Sequence, residues 1–406
     1  MNRTWIRRAV LLCLLSPAPL LAQEAAPATQ EDTRTQYPAL LANSFFSVNV
    51  GRIDYPFSAQ QLEPRYRVGG IAIPRVTARV VLFGHEFNRY LAVQASYMRP
   101  VDYVKYRGIN GAEGSRSVWM HFGTVTLRPQ LPVTSRVRLF GEAGFGTTAR
   151  AGFEDADGVQ PIVRDANYSS LVLGAGADYR LTRSLDFTAG LLYVQGKESV
   201  RQPRTLLASG GIRFNMRPLP AEQVAANRDA GYFFPTQLLQ AELTGGAGYG
   251  VNTFLSRTVP VFWGGSVKVD RGLAIHYDRN VFHTRRIFSF DIGTSVSYWR
   301  SRDNRERFTT LSFYPLFRLT LLRLEAADFY FQYSVAGPTL ISRQLLDGQA
   351  TGRRFTFQDY MGIGAFIGTN RRLTAGLKIN HYSNGNIFTE NAGVKVPLTL
   401  TLGYTF

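Results

Sequence analysis

The final residues of the chain alternate without a break: Leu398, Leu400, Leu402, Tyr404 and Phe406 are interleaved with Thr399, Thr401, Gly403 and Thr405. A period of two is the signature of a β-strand, whose successive side chains point to opposite faces. One face here is apolar and the other carries hydroxyls and glycine, which suits a sheet with hydrocarbon on one side and a polar interior on the other. The same period recurs from Asn43 onward. After residue 22 no apolar run approaches the roughly 20 residues that a membrane helix needs, so a helical membrane protein is excluded. With 45% hydrophobic and 18% charged residues, the chain is also too apolar to remain disordered.

The N-terminus reads differently. Arg3, Arg7 and Arg8 form a positive segment, Ala9 to Leu15 an apolar one, and Leu20, Leu21 and Ala22 a cleavage site. Residues 1–22 are therefore expected to be a secretory signal peptide. The single cysteine, Cys13, lies inside it behind Leu12, where a lipoprotein signal wants a small residue. The mature chain then has no disulfide framework, thiol nucleophile or cysteine-ligated metal. The formal charge of +17 falls to about +14 once the three arginines are removed. A basic secreted chain points to anionic lipid as its partner and away from nucleic acid.

Residues 23–42, rich in Ala, Pro, Thr and Glu, are expected to form a flexible leader. Eight alternating segments follow, at about 43–54, 70–86, 89–100, 117–130, 135–149, 168–182, 184–196 and 204–215. Residues 217–234 lose the alternation and read as a linker. Eight more segments fit at about 236–254, 259–277, 284–300, 308–321, 326–338, 353–368, 371–385 and 394–406. The fold class is all-β: two tandem eight-stranded antiparallel transmembrane barrels, 43–216 and 235–406, with one 16-stranded porin-like barrel as the alternative. Residues 174–191 and 210–214 resemble the strand 6–7 hairpin and closing strand of small OmpA-type barrels. The aromatic end at Phe406 resembles the C-terminal signature of bacterial outer-membrane barrels. That resemblance implies the outer membrane as location and the barrel-assembly machinery as a partner.

Residues 371–385 carry the chemistry. Leu373, Ala375, Leu377, Ile379, His381 and Ser383 share one face; Thr374, Gly376, Lys378, Asn380, Tyr382 and Asn384 share the other. The face with Lys378 and Asn380 must point inward, which leaves His381 and Ser383 on the lipid side. Polar groups there are costly unless they lie near the interface or work there. The connection at Gly368 to Arg371 is short, and short turns are periplasmic, so this pair lies at the extracellular end. If the turn sets the register, Asp359 falls opposite His381 and shares its outward phase with Phe355, Phe357, Met361 and Ile363. A hydroxyl, an imidazole and a carboxylate are the parts of a serine hydrolase. Asn384 or the amides around Gly385 are candidate oxyanion donors.

The run Phe355 to Gly364 (FTFQDYMGIG), followed by His381, Tyr382, Ser383 and Asn384, resembles the lipid A 3-O-deacylase (acyloxyacyl hydrolase-like) outer-membrane barrels over residues 235–406. The resemblance implies His381 as base, Ser383 as nucleophile and Asn384 in the oxyanion hole. It also implies hydrolysis of an ester-linked acyl chain of lipid A within lipopolysaccharide, with no cofactor and no metal. The family's acid follows an Asn-Pro-Gly-type turn at the start of the last strand. Here the turn is Asn391, Ala392 and Gly393, followed by Val394, Lys395 and Val396, with no carboxylate. Glu390 and Asp359 are the two candidates for the acid. Arg353 and Arg354 are candidate contacts for lipid A phosphates. The departure at Lys395 keeps a second reading open, a non-catalytic anchoring barrel with a degenerate site.

Overall fold

A computed structural model describes residues 33–258, 264–385, 387–388 and 390–406. The signal peptide expected at 1–22 lies outside the described residues. In the first barrel the wall strands are β1 (Ser44–Asp54), β2 (Val76–Asn88), β3 (Leu91–Pro100), β4 (Ser115–Pro132), β5 (Val137–Ala151), β6 (Ala166–Arg180), β7 (Leu185–Val194) and β8 (Thr205–Met216). Each pairs antiparallel with the next, and β8 returns to β1 in unbroken register from Ser44↔Met216 to Asp54↔Leu206.

A two-turn helix, α1 (Ala221–Arg228), interrupts the stretch read as a linker. The second barrel comprises β9 (Gln237–Thr244), then helix α2 (Tyr249–Thr258), β10 (Val267–His283), β11 (Phe288–Ser301), β12 (Arg307–Arg323), β13 (Ala327–Ile341), β14 (Phe355–Ile367), β15 (Leu373–Ser383) and β16 (Val394–Thr405). It closes through β16 and β9, from Leu238↔Thr405 to Leu243↔Leu400. Two separate closures replace the 16-stranded alternative.

Two stretches differ from the sequence reading. The strand expected over 236–254 stops at Thr244, and the strand expected over 259–277 is β10, displaced toward the C-terminus. The glycines at 245, 246 and 248 end the ladder; Gly246 and Gly248 adopt positive φ, which L-residues with a Cβ resist, and α2 follows. The end of the expected leader is docked. The Gln36 side chain donates to the Leu219 carbonyl (3.0 Å) and accepts from the Leu219 amide (2.9 Å). The Tyr37 ring packs 4.5 Å from that of Phe282.

Alternation sorts the side chains as a membrane barrel requires. Val125, Phe145, Leu191, Leu273, Val296, Leu311, Ile363 and Leu402 are exposed on the outer walls. Each lumen is packed with buried side chains, charged and hydroxyl groups together with apolar ones such as Val172 and Leu207 in the first barrel and Trp299 and Val396 in the second. In the first barrel Arg79 pairs with Glu142, and Arg128 lies 2.8 Å from Asp178. In the second, Lys378 and His276 each lie 2.7 Å from Glu242, and Asn380 donates to the other Glu242 oxygen. Removing one member of a buried ion pair strands its partner. Lys378→Met is therefore expected to destabilise the second barrel by about 3–5 kcal/mol, read as a lower denaturant midpoint in micelles.

Candidate functional site

The short connections of the second barrel, 284–287, 324–326 and 368–372, share one end, and the longer ones, including 342–354 and 384–393, share the other. His381 and Ser383 close β15 at the long-loop, extracellular end. Gly368 and Arg371 hold the opposite turn, with the Arg371 amide donating to the Gly368 carbonyl at 3.1 Å. That turn fixes an unshifted β14–β15 ladder from Ile367↔Leu373 to Phe357↔Ser383, which pairs Asp359 with His381.

His381 Nδ1 lies 3.5 Å from Asp359 Oδ2. The other carboxylate oxygen, Oδ1, accepts the Ala336 amide at 2.7 Å. This amide is available because β13 bulges between Ser334 and Gly337, with Ala336 at φ 53°. An extra residue in one strand leaves its backbone groups outside the ladder and re-aims them. The bulge thus ties down one oxygen of Asp359 and leaves the second toward the imidazole. His381 is on the outer face yet only 2% exposed, and Ile379 beside it is equally covered.

A second irregularity shapes the far side of His381. The β15–β16 register shifts between Lys378↔Thr399 and Asn380↔Val396, around Pro397. Proline has no N–H for the ladder, and a one-residue shift turns every later side chain to the opposite face. Val396 and Val394 consequently join the buried interior, and Lys395 pairs with His381 on the outer face. Gly393, at φ 59°, follows the same course: a Cβ there would lie 3.5 Å from His381 Nε2. The imidazole therefore has a carboxylate on its Nδ1 side and a glycine on its Nε2 side. A proton placed on Nδ1 would face the carboxylate and leave Nε2 as the basic nitrogen.

Ser383 is half-buried, two residues from His381 on the same face, and its hydroxyl takes no hydrogen bond among the described residues. Asn384 belongs to the inward phase and is fully buried. Its Nδ2 donates to the carbonyls of Glu390 (3.1 Å) and Thr351 (3.4 Å), while its backbone amide donates to Asn391 Oδ1 (2.9 Å). Its side chain braces the 384–393 loop. The Gly385 amide, at φ 61°, is the remaining donor of the two candidates. Glu390 is exposed, at φ 63°, and takes no ion pair among the described residues. Of the two candidate acids, Asp359 is the one beside His381.

Aromatic rings border the serine. Phe355 and Phe357 meet edge-on at 5.2 Å, and Phe388 from the 384–393 loop lies 6.3 Å from Phe355. Arg353 covers the Phe388 ring at 5.0 Å, and Arg354 beside it is exposed. An apolar strip with a basic edge thus runs from Ser383 to the extracellular rim. Residues 271–405 match the family model of the lipid A 3-O-deacylases (PagL). The second barrel is PagL-like. Its outer apolar band, the two closures and this match make the chain a bacterial outer-membrane protein.

Among solved structures, the outer-membrane enzyme PagL aligns at 16% identity and a TM-score of 0.31, over 42% of this chain and 99% of that one. Neisserial surface protein A aligns at 17% and 0.29, over 43% and 97%. The N-terminal barrel of Pseudomonas aeruginosa OprF aligns at 15% and 0.29, over 43% and 98%. No curated protein matches the chain.

Two contributors to the surroundings of His381 were not legible as such in the sequence. The Ala336 bulge is signalled only by the sequence Ala336, Gly337, Pro338, in which glycine and proline interrupt an alternating strand. The outward turn of Lys395 is signalled by Pro397 within the last strand. His276, flanking Asp278 in sequence, is an interior residue: Nδ1 lies 2.8 Å from the Tyr314 hydroxyl and Nε2 2.7 Å from Glu242.

Proposed function

We propose that the second barrel is a serine esterase that removes an ester-linked acyl chain from lipid A of lipopolysaccharide in the outer leaflet. The observation that carries this reading is the pairing of His381 with Asp359 on the lipid-facing wall, two residues from an accessible Ser383. Ser383 Oγ attacks the ester carbonyl and its proton passes to His381 Nε2. Asp359 stabilises the imidazolium through Nδ1, and the Gly385 amide supports the oxyanion. The protonated His381 then returns the proton to the departing sugar hydroxyl, and water hydrolyses the acyl-serine.

Phe355, Phe357 and Phe388 offer the acyl chain an apolar path, and Arg353 and Arg354 meet phosphates at the rim. The partners are lipopolysaccharide, the outer-membrane bilayer and, through Phe406, the barrel-assembly machinery. Removal of residues 1–22 precedes insertion. The chemistry asks for no cofactor. Expression in a bacterium with fully acylated lipid A is expected to remove the mass of one hydroxyacyl chain from its lipid A spectrum. An unchanged spectrum with a folded, inserted barrel would remove the enzyme claim.

Lys395 favours a second reading. A lysine, not a carboxylate, is the β16 register partner of His381, as expected of a barrel kept for anchoring alone. Labelling of wild-type protein by a serine-reactive fluorophosphonate, absent in Ser383→Ala, would exclude that reading.

A further inference from the structure

The first barrel holds a feature that lipid A chemistry does not use. Its short-turn, periplasmic end opens on a cavity of about 400 Å³. Residues of the lumen face follow one another into this mouth at intervals of two: Asp178 then Arg180 on β6, Arg138 then Arg136 at the start of β5, and Arg213, Asn215 then Arg217 along β8.

The charges form two levels. In the upper level three carboxylates meet three guanidinium groups. Arg138 lies 2.7 Å from Glu86 and 2.9 Å from Asp178, Arg128 2.8 Å and Arg213 3.1 Å from Asp178, and Arg213 also pairs with Glu86. Asp186 lies 3.4 Å from Arg138. That level is balanced. In the lower level Arg89, Arg136 and Arg180 take no ion pair among the described residues, and Arg217 reaches only Asp186, at 3.9 Å. Burial, and then the neighbouring Arg180 charge, hold Arg217 below the usual arginine range.

Several guanidinium groups crowded at a concave mouth with low-dielectric walls concentrate positive potential. Their planar forks match the paired oxygens of a phosphate. Two buried polar side chains between the two levels add to this, Asp186, which lines the cavity, and Asn215, which lies two residues before Arg217. Asn215 is 3% exposed, and neither its Nδ2 nor its Oδ1 has a hydrogen-bond partner among the described residues. Asp186 is 2% exposed, and its Oδ1 likewise has none. A bare anion satisfies the arginines but meets Asp186 unfavourably. A phosphate with an adjacent hydroxyl satisfies both, because the hydroxyl donates to the carboxylate.

We propose that the periplasmic mouth of the first barrel binds a phosphate ester carrying neighbouring hydroxyl groups. Two sources share this chemistry, a free polyol phosphate of the periplasm and the phosphoglycerol headgroup of an inner-leaflet lipid. The full chain in zwitterionic micelles, titrated calorimetrically with glycerol 3-phosphate at low salt, is expected to show one saturable site that binds more tightly than inorganic phosphate does. Arg180→Gln combined with Arg217→Gln is expected to weaken it at least tenfold. Arg286→Gln, in a periplasmic turn of the second barrel, is expected to leave it unchanged.

Arg180→Gln alone, at the exposed edge, serves as the second variant, and heat-modifiable gel mobility verifies that each barrel is folded. Repeating the titration in nanodiscs separates the sources: phosphatidylglycerol discs compete with glycerol 3-phosphate if the headgroup is the ligand, and match phosphatidylcholine discs if the solute is. No saturable binding by wild type, or equal binding by wild type and the folded arginine variants, overturns the proposal.

Discussion

Alanine in place of Ser383 is expected to lower fatty-acid release from lipopolysaccharide by about 10⁶-fold, to background, if the proposed chemistry holds. The size follows from the role of the hydroxyl. Without it no acyl-serine forms, and His381 has no proton to accept. The wall is expected to tolerate the change. Ser383 is half-buried at the last position of β15, its hydroxyl holds no hydrogen bond among the described residues, and its backbone pairing with Phe357 does not involve the side chain. Lost release with an unchanged denaturant midpoint therefore isolates the chemistry. Members of one catalytic unit are not additive, so Ser383→Ala with His381→Ala is expected to be no worse than Ser383→Ala alone. Release retained by the serine variant would assign the nucleophile elsewhere.

Much of this arrangement was legible because a barrel wall has few degrees of freedom. The alternation gave the facing of Lys378, Asn380, His381 and Ser383. The tight turn at Gly368 to Arg371 then carried the pairing across to Asp359, since a ladder without bulges keeps its register. The misplaced boundaries lie where backbone conformation overrides side-chain pattern. Hydrophobic residues on both sides of Gly245 to Gly248 read as one long strand, although glycines at positive φ release the chain into α2. The same cause hid the surroundings of His381. A bulge at Ala336 and a register shift at Pro397 change which backbone or side chain arrives beside the imidazole, and alternation by itself extrapolates through both. The neutral count of carboxylates and guanidinium groups high in the first barrel, and the excess of arginine at its mouth, required knowing which lumen residues meet across the barrel.

The identity of the acid has the second large consequence. Asp359→Asn is expected to reduce turnover by about 10²–10⁴-fold, and Glu390→Gln to leave it within about twofold. Asparagine fills the same space and leaves the β14–β15 ladder intact, but it carries no negative charge to stabilise an imidazolium. Its amide can also present a donor to Nδ1, which puts the imidazole proton on Nε2, the nitrogen that must receive the serine proton. Glu390 stands in an exposed loop position with no ion pair among the described residues, so neutralising it removes nothing from His381. Lys395 supplies an internal check on the same argument. It pairs with His381 from the opposite strand, across from Asp359. Lys395→Glu introduced into the Asp359→Asn variant puts a carboxylate on the β16 side, where Nε2 lies, and not beside Nδ1, and is therefore expected to recover no turnover. A large loss in Glu390→Gln, with Asp359→Asn near wild type, would instead assign the acid to the loop and leave Asp359 as a brace between β13 and β14.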